Sequence, residues 1–290
     1  MEASAVVRVL SSAAGFFDRF ACGWESARWQ RRLGSLLVAA FLLTLAVIEL
    51  NRQGLLPQWA ATAVPKNHFY AVNLAFTMLL LVELVALVLS LATSVTASLG
   101  KQLEIFSLIL LRNVFKEFTA FSEPVGWRQA APSVGPMLAD VLGAVLVFVV
   151  LGFFYRAQRH QPITEKENEQ ASFVASKKLI AVALLFLFAA IGLHHVWVFL
   201  TAGHTYGFFE VMYTVLILSD VLVVLVSLRY SSTYRVVFRN SGFAATTVLL
   251  RLALIAPPLL NAALGLAAAL LSLAVTLAYN AFALPGSRHA

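Results

Sequence analysis

Apolar positions in this chain fall into long unbroken runs. They are Leu33–Leu50, Tyr70–Leu99, Met137–Tyr155, Leu179–Thr201, Phe208–Leu228, Phe243–Ala256 and Leu259–Leu284. Most approach or exceed the roughly 20 residues an α-helix needs to cross a bilayer. Only helices or closed barrels satisfy their backbone in lipid, and runs of this length without alternation predict helices. The fold class expected is all-α, a polytopic integral membrane bundle. Pro257 and Pro258 separate the last two runs, which predicts a tight helical hairpin.

One segment is ambiguous: Lys101–Phe121, KQLEIFSLILLRNVFKEFTAF. At about 100° per residue, Lys101, Gln102, Arg112, Asn113, Lys116 and Glu117 share less than half the helix circumference, with Glu104 just outside. A helix lying on the membrane surface has this pattern. So does a spanning helix whose polar face turns into a bundle.

The basic residues arbitrate. If the segment crosses, there are eight helices with both termini inside. The inside then carries 15 Lys and Arg, the outside three (Arg52, Lys66, Arg128), and Arg112, Lys116 and Arg251 are embedded. If it stays on the inner surface, seven spans leave nine inside and eleven outside. Eight helices obey the positive-inside rule and seven do not.

Composition agrees with lipid as the solvent. Of 290 residues, 60% are hydrophobic and 12% charged, against about 25% charged in soluble domains. The net charge of +7 does not point to nucleic acid, because the bases stand at the edges of apolar runs, where they meet anionic headgroups. The single cysteine, Cys22, excludes an intrachain disulfide and a Cys-based zinc site. The first apolar run follows Asp18, Glu25 and five arginines, so it reads as an anchor and not a cleaved signal. There is no nucleotide-binding glycine pattern, nucleophile elbow or HExxH.

The expected organisation is a cytoplasmic amphipathic, basic lead-in (1–32), a first four-helix membrane half (33–155), a polar cytoplasmic linker (156–178) and a second four-helix half (179–284). The lead-in sets Phe16, Phe17, Phe20, Trp24 and Trp29 among arginines, as in helices that lie on membranes. The linker mixes five bases with three acids and reads as solvated.

The halves resemble one another. FTMLLLVELVALVLSL (Phe76–Leu91) aligns without gaps to YTVLILSDVLVVLVSL (Tyr213–Leu228), placing Glu83 opposite Asp220. After a two-residue gap, Leu110-Leu111-Arg112 aligns with Leu249-Leu250-Arg251. Each half thus carries an acid in its second helix and an arginine in its third. This suggests a parallel repeat of the kind known in transporters.

Charges in hydrocarbon cost about 2.5–3.5 kcal/mol each on insertion scales and persist when paired or facing water. Glu83 with Arg112, and Asp220 with Arg251, are therefore expected to face each other. They would line an ion or proton path, or else fix helix register as buried ion pairs. Asp140 and Glu210 are second-rank candidates. His68, His194, His195 and His204 are candidates for pH sensing or metal binding near the outer face. His194 and His195 point about 100° apart and cannot share one iron. No metal site or cofactor is expected from these patterns.

Three function classes follow in order. The first is an ion channel or ion-coupled transporter. The second is a non-catalytic membrane subunit or assembly partner. The third is a haem b redox protein. The expected partners are the lipid bilayer and a small ion or solute, with no nucleic acid. The small-residue segment Leu260–Ala283 is a candidate homo-oligomer contact. Composition suits a bacterial inner membrane with both termini cytoplasmic.

Overall fold

The chain breaks where backbone chemistry forbids a continuous helix. In the computed structural model, residues 2–62, 64–92, 95–158, 167–202, 207–230 and 233–282 are described. They form α1 (Glu2–Glu25), α2 (Ala27–Arg52), a short α3 (Gln58–Ala61), α4 (Phe69–Ser90), α5 (Val95–Lys116), a 3-10 turn (Glu117–Ala120), α6 (Trp127–Ala157), α7 (Glu167–Ala202), α8 (Phe208–Tyr230), α9 (Tyr234–Ile255) and α10 (Pro258–Ala281). Among the described residues there is no strand.

Ser26 separates α1 from α2 in extended backbone, and its hydroxyl accepts from the Trp29 N–H. That is an N-cap, satisfying one orphan donor of α2. At the far end of α2, Gly54 adopts φ 72°, and the Leu55 N–H reaches back to the Leu50 carbonyl. This six-to-one bond with glycine in the left-handed region is a Schellman ending. Pro257 and Pro258 occupy the cap and first position of α10, where a missing N–H is harmless. α9 and α10 pack tightly against each other across this turn.

Among the described residues, six helices are long and apolar enough to cross a membrane: α2, α4, α6, the Phe173–Val198 part of α7, the Phe208–Ser227 part of α8 and α10. The chain is a multi-pass membrane protein of helices. α5 and α9 are each 22 residues long, about 33 Å at 1.5 Å per residue, and carry more charge.

α5 is an interior helix, packed against α4, α6, α9 and α10. Its polar arc is unevenly covered. Gln102 is buried, Arg112 is half-buried, and Lys101 and Lys116 are exposed.

Two segments outside the apolar runs are helical. Arg235 and Arg239 belong to α9, which starts nine residues before the apolar run at Phe243. No glycine or proline interrupts Tyr234–Gly242 until that glycine, and arginine is a good helix former. Both guanidiniums lie over the Tyr279 ring, at 4.2 and 4.5 Å from its centre, a cation–π arrangement that holds α9 to α10. Likewise, residues 167–178, read as linker, are the opening turns of α7. They are held by burial of Phe173 and by Lys178 pairing with Asp18 of α1 at 2.7 Å. α1 itself docks on α7 and buries Phe17, so the lead-in is packed against the bundle.

The buried side chains form two clusters. One joins α4, α7 and α8, with Phe17 of α1 and Ile105 and Ile109 of α5, around Leu84, Val88, Ala181, Met212 and Leu216. The other joins α5, α6, α9 and α10 around Leu103, Phe106, Val147, Phe154, Phe243 and Ala268. Each cluster draws on both halves of the sequence. The small residues of α10 are used inside the second. A Cβ at Gly265 would collide with the Phe106 ring, and one at Gly143 of α6 would lie 2.6 Å from the Ala262 Cβ. The outward positions of α10 mix leucines (Leu259, Leu270 and Leu277) with alanines (Ala263, Ala267 and Ala274).

Candidate functional site at the seam between the two cores

Charge collects where the two apolar clusters meet. α4 and α8 belong to the first cluster, α9 chiefly to the second, and α5 lies between them, giving Ile105 and Ile109 to the first and Leu103 and Phe106 to the second. Glu83 of α4 pairs with Arg112 of α5, and Asp220 of α8 pairs with Arg251 of α9. Both expected pairs therefore form, and both bridge the seam. Arg112 stands four residues before the end of α5 at Lys116, and Arg251 four before the end of α9 at Ile255. The arginines thus occupy matching places in helices of equal length.

The two pairs differ in surroundings. Arg112 keeps 26% of its side chain exposed. The second pair is enclosed, with Asp220 at 4% and Arg251 at 1% exposure. Asp220 Oδ2 and Arg251 Nε lie 3.5 Å apart and share no hydrogen bond. Arg251 Nη2 instead donates to Gln102 Oε1 at 2.9 Å, and Gln102 Nε2 donates to Ser98 Oγ at 3.1 Å. Gln102 thereby ties α9 to α5 through buried polar groups.

Beside this pair is a polar cavity of about 40 Å³. Its polar walls are Ser98, Gln102, Lys177, Asp220, Ser227, Asn240 and Thr247. They come from α5, α7, α8 and α9. A water molecule takes about 30 Å³ of liquid volume, so the space suits one water or one small ion. Lys177 is 1% exposed, with its ammonium 5.0 Å from the centre of the Phe173 ring. The sequence reading placed Lys177 in the linker, did not single out Asn240, and counted Gln102 only as part of a polar arc. The signal for Lys177 was its position two residues before the run starting at Leu179.

The other candidates lie elsewhere. Asp140 of α6 is buried, within hydrogen-bonding reach of Asn261 on α10 and near Lys116 and Glu117. Glu210 is exposed on the first turn of α8. His194 is exposed, and the His195 ring packs 5.2 Å from Phe208. His204 lies outside the described residues. Among those described, no group of three or more His, Cys, Asp or Glu is arranged to hold a metal ion.

His68 belongs to a charged clamp. Its Nδ1 lies 2.9 Å from Glu123 Oε2 and its Nε2 3.2 Å from Glu49 Oε2. Its backbone N–H donates to Glu123 Oε1 at 2.7 Å, and Arg52 Nη1 donates to Glu123 Oε2 at 3.0 Å. The hydrogen bond from the His68 ring, with further help from its N–H and from Arg52, holds the Glu123 carboxyl below the usual carboxylate range. The clamp fastens the end of α2 and the start of α4 to the loop before α6.

Comparison with protein families, with curated proteins and with solved structures finds no match for this chain.

Proposed function

We propose that this protein is a membrane transporter or channel for a proton or small inorganic ion, with Asp220 and Arg251 at the centre of its route. The observation that carries this reading is the enclosed Asp220–Arg251 pair bordering a polar cavity between otherwise apolar helices. Intramembrane ionisable groups that face a polar cavity are functional far more often than their cost allows by accident. The cavity's size supports an ion over an organic solute.

In this reading all eight long helices from α2 to α10 cross the membrane as two parallel four-helix repeats. The matching positions of Arg112 and Arg251 support it, as does the interior position of α5. Both termini are cytoplasmic, in a bacterial inner membrane. By the same orientation Lys177 and Ser227 stand toward the cytoplasmic end of the cavity and Asp220 near mid-depth. Passage through so small a space requires the Asp220–Arg251 pair to separate, so the structure corresponds to a closed state.

The test is flux in proteoliposomes under imposed pH and monovalent-ion gradients, read by a trapped dye. Wild-type protein should dissipate at least one gradient. Asp220→Asn should slow that flux by roughly tenfold or more, the loss expected when an essential charge is removed from a route. Glu83→Gln, at the more open pair, should have a smaller effect. Unchanged flux in Asp220→Asn would remove the proposed role.

A further inference from the structure

Two neighbouring cavities share no lining residue with the cavity beside Asp220. The larger, about 660 Å³, opens between α1, α4, α7 and α8. That is within the roughly 300–1,000 Å³ of small-ligand sites. Its walls include Phe20, Leu81, Leu84, Phe188 and Met212, and its polar side chains are only Thr77 and His195. The second, about 440 Å³, sits at the α1–α2 joint and is lined by Arg19, Arg28 and Arg32 with Phe20, Trp24 and Trp29.

Phe20 borders both spaces. A ladder of rings connects them: Phe186, Phe16, Phe20, Trp24 and Trp29, with successive centres 6.1, 6.4, 5.9 and 6.3 Å apart. Arg19, Arg28 and Arg32 are exposed and make no ion pair among the described residues. Asp18, beside Arg19, is engaged by Lys178.

From this geometry we infer a single site for an anionic glycerophospholipid. Its acyl chain would lie in the apolar cavity and its phosphate in the arginine cleft. The occupant must be apolar at one end and anionic at the other, because the two spaces share a wall and differ completely in chemistry. A guanidinium fork matches phosphate oxygens, and tryptophan rings suit the boundary between headgroup and chain. A peptide segment does not fit, since the apolar cavity offers almost no partners for a backbone. The site is separate from the ion route and stands or falls without it.

The experiment uses the purified full-length chain in non-ionic detergent. Phosphatidylglycerol, phosphatidylcholine with the same chains, inorganic phosphate and glycerol phosphate are each added. Bound lipid is read by native mass spectrometry and stabilisation by thermal unfolding. Phosphatidylglycerol should bind at least about tenfold more tightly than phosphatidylcholine and raise Tm. The two headgroup mimics should not raise Tm.

Two variants separate the parts. Arg19→Gln/Arg28→Gln/Arg32→Gln should erase the headgroup preference. Gly192→Leu fills the apolar cavity at a position where an added Cβ meets nothing within 4 Å. It should weaken phosphatidylglycerol binding while leaving the lipid-free Tm unchanged. Equal retention of the two lipids would overturn the inference. So would full stabilisation by phosphate alone, or unaltered phosphatidylglycerol binding in Gly192→Leu.

Discussion

A carboxylate and a guanidinium buried together depend on each other more than on their surroundings. Removing one partner of a buried pair costs about 3–5 kcal/mol, while replacing both with apolar residues is often neutral. Asp220 and Arg251 make this a way to separate architecture from function. Asp220→Leu alone leaves Arg251 buried without its carboxylate and should lower Tm markedly. Asp220→Leu/Arg251→Met should recover most of that loss and remain without flux. Measured side by side, a stable double variant that still conducts would make the pair purely structural. Equal stability of the single and double variants would contradict the enclosed pair itself.

The four paired charges were legible in the sequence because a charge stands out inside an apolar run. Gln102 and Asn240 were not. Uncharged polar residues carry no comparable penalty in sequence, and only the packing of α5 on α9 shows that Gln102 receives the second arginine nitrogen.

At the scale of elements, boundaries were the least legible feature. The apolar runs located the centres of helices, but α6, α7 and α9 all begin before their runs. In α9 the extension is fixed by Arg235 and Arg239 stacking on Tyr279, a contact distant in sequence. The connection from α2 to α4 and to the loop before α6 is likewise a matter of side chains. There the clamp around Glu123 makes a pH prediction. Its folded-state carboxyl is depressed, so it contributes stability above the ordinary carboxylate pKa, about 4.3 for glutamate. That contribution is lost as pH falls through the lower folded value. Wild type should therefore exceed Glu123→Gln in Tm at pH 7, and the gap should shrink as pH falls below about 4. A gap that does not change with pH would show that the carboxylate charge is not what fastens the clamp.

At the scale of the whole molecule, sequence halves and packing units are different divisions. The proposed halves are successive runs of four helices. The cores instead gather α4, α7 and α8 on one side and α6, α9 and α10 on the other, with α5 contributing to both. Hydropathy along the chain cannot show this, because every helix is apolar on several faces. The consequence is a seam that each half crosses once, between its second and third helices, and both crossings carry an ion pair. For these pairs to lie in the hydrocarbon, α5 and α9 must cross the membrane.

The crossing of α5 is tested most directly by the sidedness of two exposed positions, Val125 before α6 and Tyr234 at the start of α9. Each is replaced singly by cysteine in a Cys22→Ser background and labelled with a membrane-impermeant maleimide in sealed cells and in inverted vesicles. With all eight helices crossing, Val125→Cys should be labelled from the outside and Tyr234→Cys only from the cytoplasmic side. The opposite pattern, Val125→Cys cytoplasmic and Tyr234→Cys outside, would mean that α5 does not cross and would contradict the eight-helix arrangement on which the ion route is built.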